Sequence, residues 1–231
     1  MFKRVEKKYL LTEREREALL QKIAPMLVPD KYGHSTISSL YLDTPDFRII
    51  RASIEAKEWG HAYKEKLRLR TYGTPSADSK TFLEIKKKYK GVVYKRRIAL
   101  TLADAMDYIN GGASPPDSQI MREIDYSMHF YSHPKPAAVV SYERDAFFVR
   151  DLPALRITFD SAVRYRNTDL DLTHGSYGKT LLGDSFSLME IKTDGAMPLW
   201  LSHALDELKI YPTSFSKYGR AYIDIMNEKR I

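Results

Sequence analysis

The most constraining feature of the sequence is a two-residue alternation of charged and apolar side chains that recurs in many short segments. In residues 63–72, Lys64, Lys66, Arg68 and Arg70 alternate with mostly apolar residues. Because successive side chains of a β-strand point to opposite faces, this segment predicts a strand with one cationic face. Related alternation occurs in residues 4–8, 37–43, 81–87, 92–100, 139–147, 155–160 and 188–192.

Charge is distributed unevenly along the chain. The sequence has 37 Lys and Arg against 30 Asp and Glu, a formal charge of +7, but residues 1–100 alone hold 23 basic and 12 acidic residues. A basic half indicates an anionic partner such as nucleic acid, a phosphorylated small molecule or a membrane surface. The alternative is a solvated, lysine-rich surface. The absence of cysteine from the sequence excludes disulfides, cysteine-ligated zinc, iron–sulfur clusters and thiol nucleophiles.

Composition and length favour one globular domain. The 231 residues are 43% hydrophobic and 12% aromatic, which is typical of a folded domain. No turn-rich stretch interrupts the strand pattern, so we predict a single domain over residues 1–231. The opening MFKRVEKKYLL is too charged for a signal peptide, and no apolar run approaches the roughly 18 residues of a membrane span. We expect a soluble, cytoplasmic protein without a transmembrane segment.

Helical signals are fewer than strand signals. Thr12 and Glu15 form a capping-box pattern that predicts a helix near 13–25. A second predicted helix starts after Thr101 and ends at Gly111 and Gly112. Further helices are predicted over residues 118–131, 198–209 and 218–227. None of them has a recognisable catalytic spacing, so we interpret them as packing elements.

The charged faces suggest how the strands are arranged. They combine Lys and Arg with isolated Glu or Asp, and lack the Ser, Thr, Gln and Asn expected of an ordinary solvated face. We therefore predict an α+β fold in which an antiparallel β-barrel tunnel with a polar lumen is flanked by helices. The alternative is an antiparallel sheet with one face in water. Facing cations repel strongly in a low-dielectric cavity unless anions enter, which favours a polyanionic ligand.

Nine motifs in order give the chain a family resemblance. They are RVEKKY, SSLYLDT, KLRLRTYG, FLEIKKK, VYKRRIAL, YERDAF, LRITFD, LMEIK and FSKYGR. This ordered set resembles the VTC domain, the polyphosphate polymerase domain of the vacuolar transporter chaperone family. The VTC domain is a member of the triphosphate tunnel metalloenzymes, the CYTH-like superfamily, whose fold is an antiparallel barrel tunnel. The resemblance runs from Arg4 to Arg220.

The resemblance also implies a set of site residues. A divalent metal, Mn²⁺ or Mg²⁺, would bind Glu190, whereas Glu6 and Glu84 either assist the metal or form salt bridges to tunnel cations. Ser216 either donates to a phosphate or caps the helix that follows it. The implied phosphate-binding residues are Lys8, Lys66, Arg68, Arg70, Lys86, Lys95, Arg144, Arg156, Lys192 and Lys217. Within the whole set, we expect the catalytic residues to be Lys8, Arg68, Arg70, Lys86 and Glu190.

Three activities remain open at this stage. The family resemblance implies transfer of the ATP γ-phosphate to a growing polyphosphate chain. The alternatives are an inorganic triphosphatase or polyphosphatase of the same fold, and a non-catalytic polyphosphate-binding domain. Relatives that hydrolyse or cyclise substrates open with ExExK, whereas this chain has Arg4 in place of the first Glu, which favours the VTC branch.

The predicted partners follow from the same residues. They are ATP or another nucleoside triphosphate, and polyphosphate or pyrophosphate; a membrane partner protein is compatible with this reasoning. We expect no nucleic acid, because the aromatic residues mostly share the apolar sides of the strands and do not interleave with the basic ones. The six histidines are scattered without a zinc-ligand spacing, which argues against zinc.

Overall fold

The computed structural model describes residues 5–58, 63–90 and 92–229, which form nine strands and six α-helices. Arg4, where the opening motif departs from its relatives, lies outside the described residues. The strands are β1 (Val5–Thr12), β2 (Leu27–Asp43), β3 (Tyr63–Tyr72), β4 (Lys80–Tyr89), β5 (Val92–Thr101), β6 (Lys135–Val149), β7 (Leu152–Arg166), β8 (Lys179–Thr180) and β9 (Phe186–Thr193). The helices are α1 (Glu13–Ile23), α2 (Arg48–Glu58), α3 (Leu102–Asn110), α4 (Gln119–Phe130), α5 (Leu199–Glu207) and α6 (Lys217–Glu228).

The strands belong to one sheet, in the order β1-β9-β7-β6-β2-β3-β4-β5, with β8 paired to β7. The α+β class with an antiparallel sheet and flanking helices is confirmed. Among the described residues, however, no pairing joins β1 to β5, so the sheet is not closed into the predicted barrel. The other edge of β1 is occupied in a different way. Thr213 forms an isolated antiparallel bridge with Lys8, and its N–H donates to the Lys8 carbonyl at 2.7 Å.

The register of β3 confirms the alternation of its two faces. Arg68 is the Cα partner of Tyr41 in β2 and of Glu84 in β4, so these three side chains share a face. Leu67 and Leu69 lie between the charged positions and are fully buried. Burial of each such leucine contributes about 1.5–3 kcal/mol, which fixes which face of the strand is charged.

Contacts between Cα atoms divide the chain into two compact units, each made of three segments. The first unit contains the residues up to Thr36, Tyr142–Val163 and Thr180–Ser216; the second contains Ile37–Ser141, Arg164–Lys179 and the residues from Lys217 onward. Each unit has its own hydrophobic core. The first core includes Leu11, Leu19, Phe159, Ile191 and Leu201, and the second includes Leu40, Leu69, Leu83, Ile124 and Val139. The single domain over residues 1–231 stays a prediction.

The five predicted helices are all present, with ends that differ by a few residues. α1 ends at Ile23, where Pro25 is part of a short 3-10 turn (Ala24–Met26). α3 ends at Gly111, whose φ of 99° is the left-handed conformation that glycine adopts readily. Ser118 caps α4 through its side chain, which accepts from the Met121 N–H.

Helix α2 was not predicted from the sequence. Its first N–H groups are satisfied by acceptors several residues earlier in the sequence. The Asp43 carboxylate accepts from the Ile49 and Ile50 N–H groups at 2.9 and 3.1 Å. Thr44 Oγ1 accepts from the Arg48 N–H at 2.8 Å. These acceptors precede their donors by four to seven residues across a turn, so the usual local capping spacing is absent.

A first prediction concerns the start of α1. Thr12 Oγ1 accepts from the Glu15 N–H at 3.2 Å and the Glu15 carboxylate accepts from the Thr12 N–H at 2.7 Å, the predicted capping box. Thr12→Ala should lower the free energy of unfolding by about 1 kcal/mol in a urea titration, because it removes the cap. Thr12→Ser is the control, and it should retain most of the wild-type stability because serine also has a hydroxyl group that can cap the helix. Equal stability of the alanine variant and the wild type would contradict the capping role.

Candidate functional site

The second unit holds a polar cluster on one face of β2, β3, β4 and β5. We call it the Arg68 cluster. Cross-strand register brings its members together: Arg70 is paired with Ser39, Lys66 with Lys86, and Lys86 with Lys95. The cluster comprises Tyr41, Lys66, Arg68, Arg70, Glu84, Lys86 and Lys95. Five of the predicted phosphate-binding residues therefore share one surface of one sheet.

Glu84 is the buried acid of the Arg68 cluster, with a side chain 1% exposed. Its Oε2 accepts from Arg68 Nη2 at 2.7 Å and Nε at 2.9 Å, and its Oε1 lies 2.6 Å from Lys95 Nζ. Burial by itself would raise the pKa of Glu84, but the charges of Arg68, Arg70 and Lys95 lower it to about 2. Of the two sequence-based interpretations of Glu84, this geometry favours the salt bridge.

Lys95, the partner of Glu84, has a lowered pKa. Burial lowers the pKa of Lys95 to about 8, because the neighbouring Glu84 charge, which raises it, only partly offsets the desolvation and the repulsion from Arg70 and Arg68. Lys95 thus loses part of its charge just above neutral pH. A phosphate near this group would restore the protonated form.

The start of α6 lies beside the Arg68 cluster. Tyr218 stacks on Tyr41 with ring centroids 4.3 Å apart and an interplanar angle of 7°. Lys217, a predicted phosphate-binding residue, is the first residue of α6 and directly precedes Tyr218. The Tyr218 hydroxyl donates to Asp43 at 2.8 Å, and Asp43 also receives the α2 N–H groups. Asp43 is therefore engaged in holding two helices to the strand.

The first unit holds a second polar cluster around Glu190. We call it the Glu190 cluster. In the register, Lys8 and Thr158 are the β1 and β7 partners of Glu190, while Glu6 and Arg156 are the partners of Lys192. The cluster comprises Glu6, Lys8, Arg144, Arg156, Thr158, Asp160, Glu190 and Lys192. The first unit thus brings together six predicted site residues, namely Glu6, Lys8, Arg144, Arg156, Glu190 and Lys192.

Glu190 is a buried carboxylate surrounded by cations. It is 7% exposed, with Oε1 3.2 Å from Lys8 Nζ and Oε2 2.6 Å from Lys192 Nζ. Arg144 Nη2 lies 4.0 Å from the same Oε2 atom. Lys8 Nζ is also 3.6 Å from Glu6, so a single ammonium group contacts both predicted metal-binding glutamates.

The two arginines of the Glu190 cluster have carboxylate partners of their own. Arg144 forms a bidentate pair with the fully buried Asp160, through Nε at 2.6 Å and Nη2 at 2.7 Å. Burial by itself would lower the pKa of Arg144, but Tyr142 and Asp160 raise it above its ordinary value. Arg156 is bonded to Asp30 and lies over the Phe148 ring. Both guanidinium groups are thus held in fixed orientations.

Ser216 lies just beyond the Glu190 cluster along the chain. Lys8 Nζ donates to the carbonyl of Phe215 at 2.9 Å, so the residue before Ser216 is fixed by a predicted catalytic lysine. Ser216 itself is half-buried and immediately precedes α6. This position is that of a helix N-cap, one of its two predicted roles, and the phosphate-donor role stays a prediction.

The oxygen atoms of the Glu190 cluster determine whether it can hold a divalent metal. No group of three or more His, Cys, Asp or Glu residues suited to a metal ion occurs in the described part of the chain. Mg²⁺ needs only one or two carboxylates when phosphates and waters complete its coordination, and Glu190 can be that carboxylate. Thr158 is the register partner of Glu190, and its buried Oγ1 has no hydrogen-bond partner among the residues that the structure describes. It offers a second oxygen that sequence analysis did not single out, so the residues fit a shared metal–phosphate site.

The sequence that forms these clusters also matches the model of a known protein family. The sequence model of the VTC domain matches residues 3–225. The chain belongs to the VTC domain family. The resemblance inferred from the nine ordered motifs is thereby confirmed over nearly the whole chain. A search of curated proteins gives no significant match to this VTC domain.

Solved structures identify the fold of this VTC domain. A proposed adenylate cyclase from Bacillus halodurans superposes with a TM-score of 0.54 at 14% identity, covering 93% of this chain and 95% of that one. A proposed adenylyl cyclase from Hippeastrum, described as having a dominant triphosphatase activity, gives a TM-score of 0.53 at 16% identity over 93% of each chain. At these identities the likeness concerns the fold alone, and it agrees with the α+β architecture of an antiparallel sheet with flanking helices. None of the helices in the described residues has the length and apolar character of a membrane span.

Proposed function

We propose that this VTC domain is a metal-dependent phosphotransferase of the polyphosphate polymerase type, which transfers the γ-phosphate of ATP to a growing polyphosphate chain. The main support is the Arg68 cluster, where Lys66, Arg68, Arg70, Lys86 and Lys95 are aligned on one face around the buried Glu84. Phosphoryl transfer needs positioning and charge neutralisation more than a protein nucleophile. An array of fixed cations suits that requirement.

The residues divide this work according to their chemistry. Arg68 and Arg144 can present planar guanidinium groups to phosphate oxygens in bidentate fashion, whereas Lys8 and Lys86 act as point charges. The terminal phosphate of the acceptor chain would be the nucleophile. Glu190 and Thr158 would hold a Mn²⁺ or Mg²⁺ ion, which when bound neutralises charge on the phosphates. ATP and polyphosphate are the proposed partners, and nucleic acid is not.

A second candidate function is an inorganic triphosphatase or polyphosphatase. The specific observation in its favour is that the Hippeastrum neighbour is described as having triphosphatase activity. The same cations would bind the substrate, and water would replace the acceptor phosphate as nucleophile. A third candidate is a non-catalytic domain that binds polyphosphate without turnover.

One assay separates the three candidates. Purified protein incubated with ATP and MnCl₂ should yield ADP and long-chain polyphosphate, detected on gels and by ³¹P NMR. Release of orthophosphate without polymer would support the triphosphatase and contradict the polymerase. Tight polyphosphate binding without turnover would support the binding domain. Arg122→Ala is the control variant, because Arg122 pairs with Asp117 at the surface and should leave every product unchanged.

The same preparation tests the nucleic-acid alternative. Polyphosphate should compete for binding far better than single-stranded or duplex nucleic acid at equal phosphate concentration. A steep salt dependence together with preference for nucleic acid would contradict the proposed substrate class.

A further inference from the structure

Tyr41 has a hydroxyl group that is buried but only half satisfied. The residue is 5% exposed and lies in β2 beside Arg68, whose Nη1 donates to the phenolic oxygen at 3.2 Å. A guanidinium group can only donate, so the Tyr41 oxygen is the acceptor in this bond and its own proton points elsewhere. Among the described residues, no hydrogen bond gives that proton an acceptor. A buried donor without an acceptor is costly, which indicates a missing partner.

The ring of Tyr41 is held in a fixed orientation. It stacks on Tyr218 with a centroid distance of 4.3 Å and an angle of 7°. Tyr218 is in turn anchored by its hydrogen bond to Asp43, and Asp43 is anchored by the backbone of α2. The hydroxyl group therefore cannot swing away to find another acceptor. Stacking thus presents the donor on the cation-bearing face of the sheet.

The missing partner has a definite chemistry. The hydroxyl shares its face with Arg68, and the charges of Arg68, Lys66 and Arg70 act on it directly. A group that approaches this face must accept a hydrogen bond and be compatible with three cations. A phosphate oxygen meets both conditions, because it is anionic and can accept from several donors at once.

The ionisation of Tyr41 agrees with this interpretation. Burial by itself would raise its pKa, but Arg68, Lys66 and Arg70 lower it to about 8. The other facing groups are Tyr218 from α6, whose pKa is raised by burial, and Glu84 of β4, which is paired with Arg68. When no external anion is bound, the Tyr41 phenolate can thus supply the negative charge that balances the surrounding cations.

We propose that Tyr41 is a substrate-binding residue of the Arg68 cluster: its O–H donates a hydrogen bond to a phosphate oxygen, and its phenolate is an internal anion that the phosphate replaces. The inference rests on the proposed function, because it requires a triphosphate or polyphosphate ligand on this face. The step is a simple proton uptake. When phosphate binds, the Tyr41 phenolate takes one proton from solvent and becomes the neutral hydroxyl. No other covalent bond forms or breaks.

The test is a spectroscopic titration with inorganic tripolyphosphate. Tyrosinate absorbs near 295 nm, where lysine does not, so the nearby titration of Lys95 does not contribute to the signal. At about pH 8.5, where the Tyr41 pKa of about 8 predicts a mostly ionised group, tripolyphosphate should decrease the 295 nm absorbance of the wild-type protein. In a pH titration, saturating tripolyphosphate should move this transition to higher pH.

Two variants assign the signal and the hydrogen bond. Tyr41→Phe keeps the ring for stacking on Tyr218 but removes the hydroxyl, so the absorbance change should vanish. Its affinity for tripolyphosphate at pH 7 should fall about tenfold or more, the usual cost of a hydrogen bond to a charged group. Tyr211→Phe is the matched control, because Tyr211 is exposed on the first unit, and it should behave as the wild type.

The outcomes separate this inference from the proposed function. Calorimetric binding of tripolyphosphate to the wild type without a change at 295 nm, or with an equal change in Tyr41→Phe, overturns the role of Tyr41 alone. Absence of tripolyphosphate binding to the wild type overturns the proposed function and this inference together. A decrease in the 295 nm absorbance that requires Tyr41, and that saturates at the same tripolyphosphate concentration as the calorimetric binding, supports both the proposed function and the role of Tyr41.

Discussion

Glu190→Gln is expected to reduce metal-dependent turnover of ATP by about 10²–10³-fold, the usual effect of removing one electrostatic contact to the transferring group. The variant keeps the size of the side chain but loses the carboxylate that contacts Lys8 and Lys192. If Glu190 and Thr158 hold the metal, the Mn²⁺ concentration needed for half-maximal activity should also rise. A Mn²⁺ titration monitored by electron paramagnetic resonance measures that loss without relying on turnover.

Two controls make the Glu190 experiment specific. Glu207→Gln removes the carboxylate of an exposed ion pair with Lys22 and should leave both activity and metal binding unchanged. Circular dichroism and thermal unfolding of Glu190→Gln should show a folded protein, since the amide fills the same volume. A folded Glu190→Gln variant with wild-type turnover and wild-type Mn²⁺ binding would remove the metal assignment.

The largest expected effect on stability concerns the buried Arg144–Asp160 pair. Asp160→Ala should lower the free energy of unfolding by about 3–5 kcal/mol, because it leaves a buried guanidinium group without its bidentate partner. Glu190, 4.0 Å from Arg144 Nη2, is too distant to replace two hydrogen bonds of 2.6 and 2.7 Å. Urea denaturation followed by circular dichroism measures the difference.

The position of the pair, rather than its charge, should determine this loss. Asp117→Ala breaks the surface pair with Arg122, whose side chains are 75% and 63% exposed, and should change stability little. The double variant Arg144→Leu/Asp160→Leu should recover much of the loss, since apolar residues can replace a buried ion pair. Equal effects of Asp117→Ala and Asp160→Ala would contradict the importance of burial.

Strand faces were predictable from the sequence because the period of two is a property of the backbone. The alternation of Lys66, Arg68 and Arg70 with Leu67 and Leu69 places the cations on one face without any knowledge of their neighbours. The register then confirms Glu84 and Tyr41 on that face. The family assignment was likewise predictable, since nine ordered motifs carry it.

Contacts between distant segments could not be predicted in this way. The alternation correctly places Glu65 on the face opposite the cations, but it says nothing about how a buried carboxylate is satisfied there. The structure shows hydroxyl donors from Tyr63 at 3.0 Å, Tyr131 at 2.9 Å and Ser127 at 3.1 Å. Tyr131 and Ser127 are more than sixty residues away, and only the packing of α4 brings them close.

Tyr41 illustrates the same limit at the candidate site. Its place on the polar face follows from the sequence, but its importance depends on Tyr218, which is 177 residues later. No local sequence pattern predicts the stacking of Tyr41 on Tyr218, and no motif indicates that the Tyr41 hydroxyl lacks an acceptor. The site residues that matter through a tertiary contact are thus the ones that sequence analysis misses.

The two-faced character of β3 has a consequence for how this chain can change in length. Deleting Glu65 or Lys66 inverts the parity of every later position in β3, which would direct Arg68 and Arg70 into the core and Leu67 and Leu69 out of it. Deleting two residues preserves the parity and only shortens the strand. Insertions and deletions of an even number of residues within β3 should therefore be tolerated better than odd ones, whereas a change of length in the loop at 73–79 alters the parity of neither flanking strand.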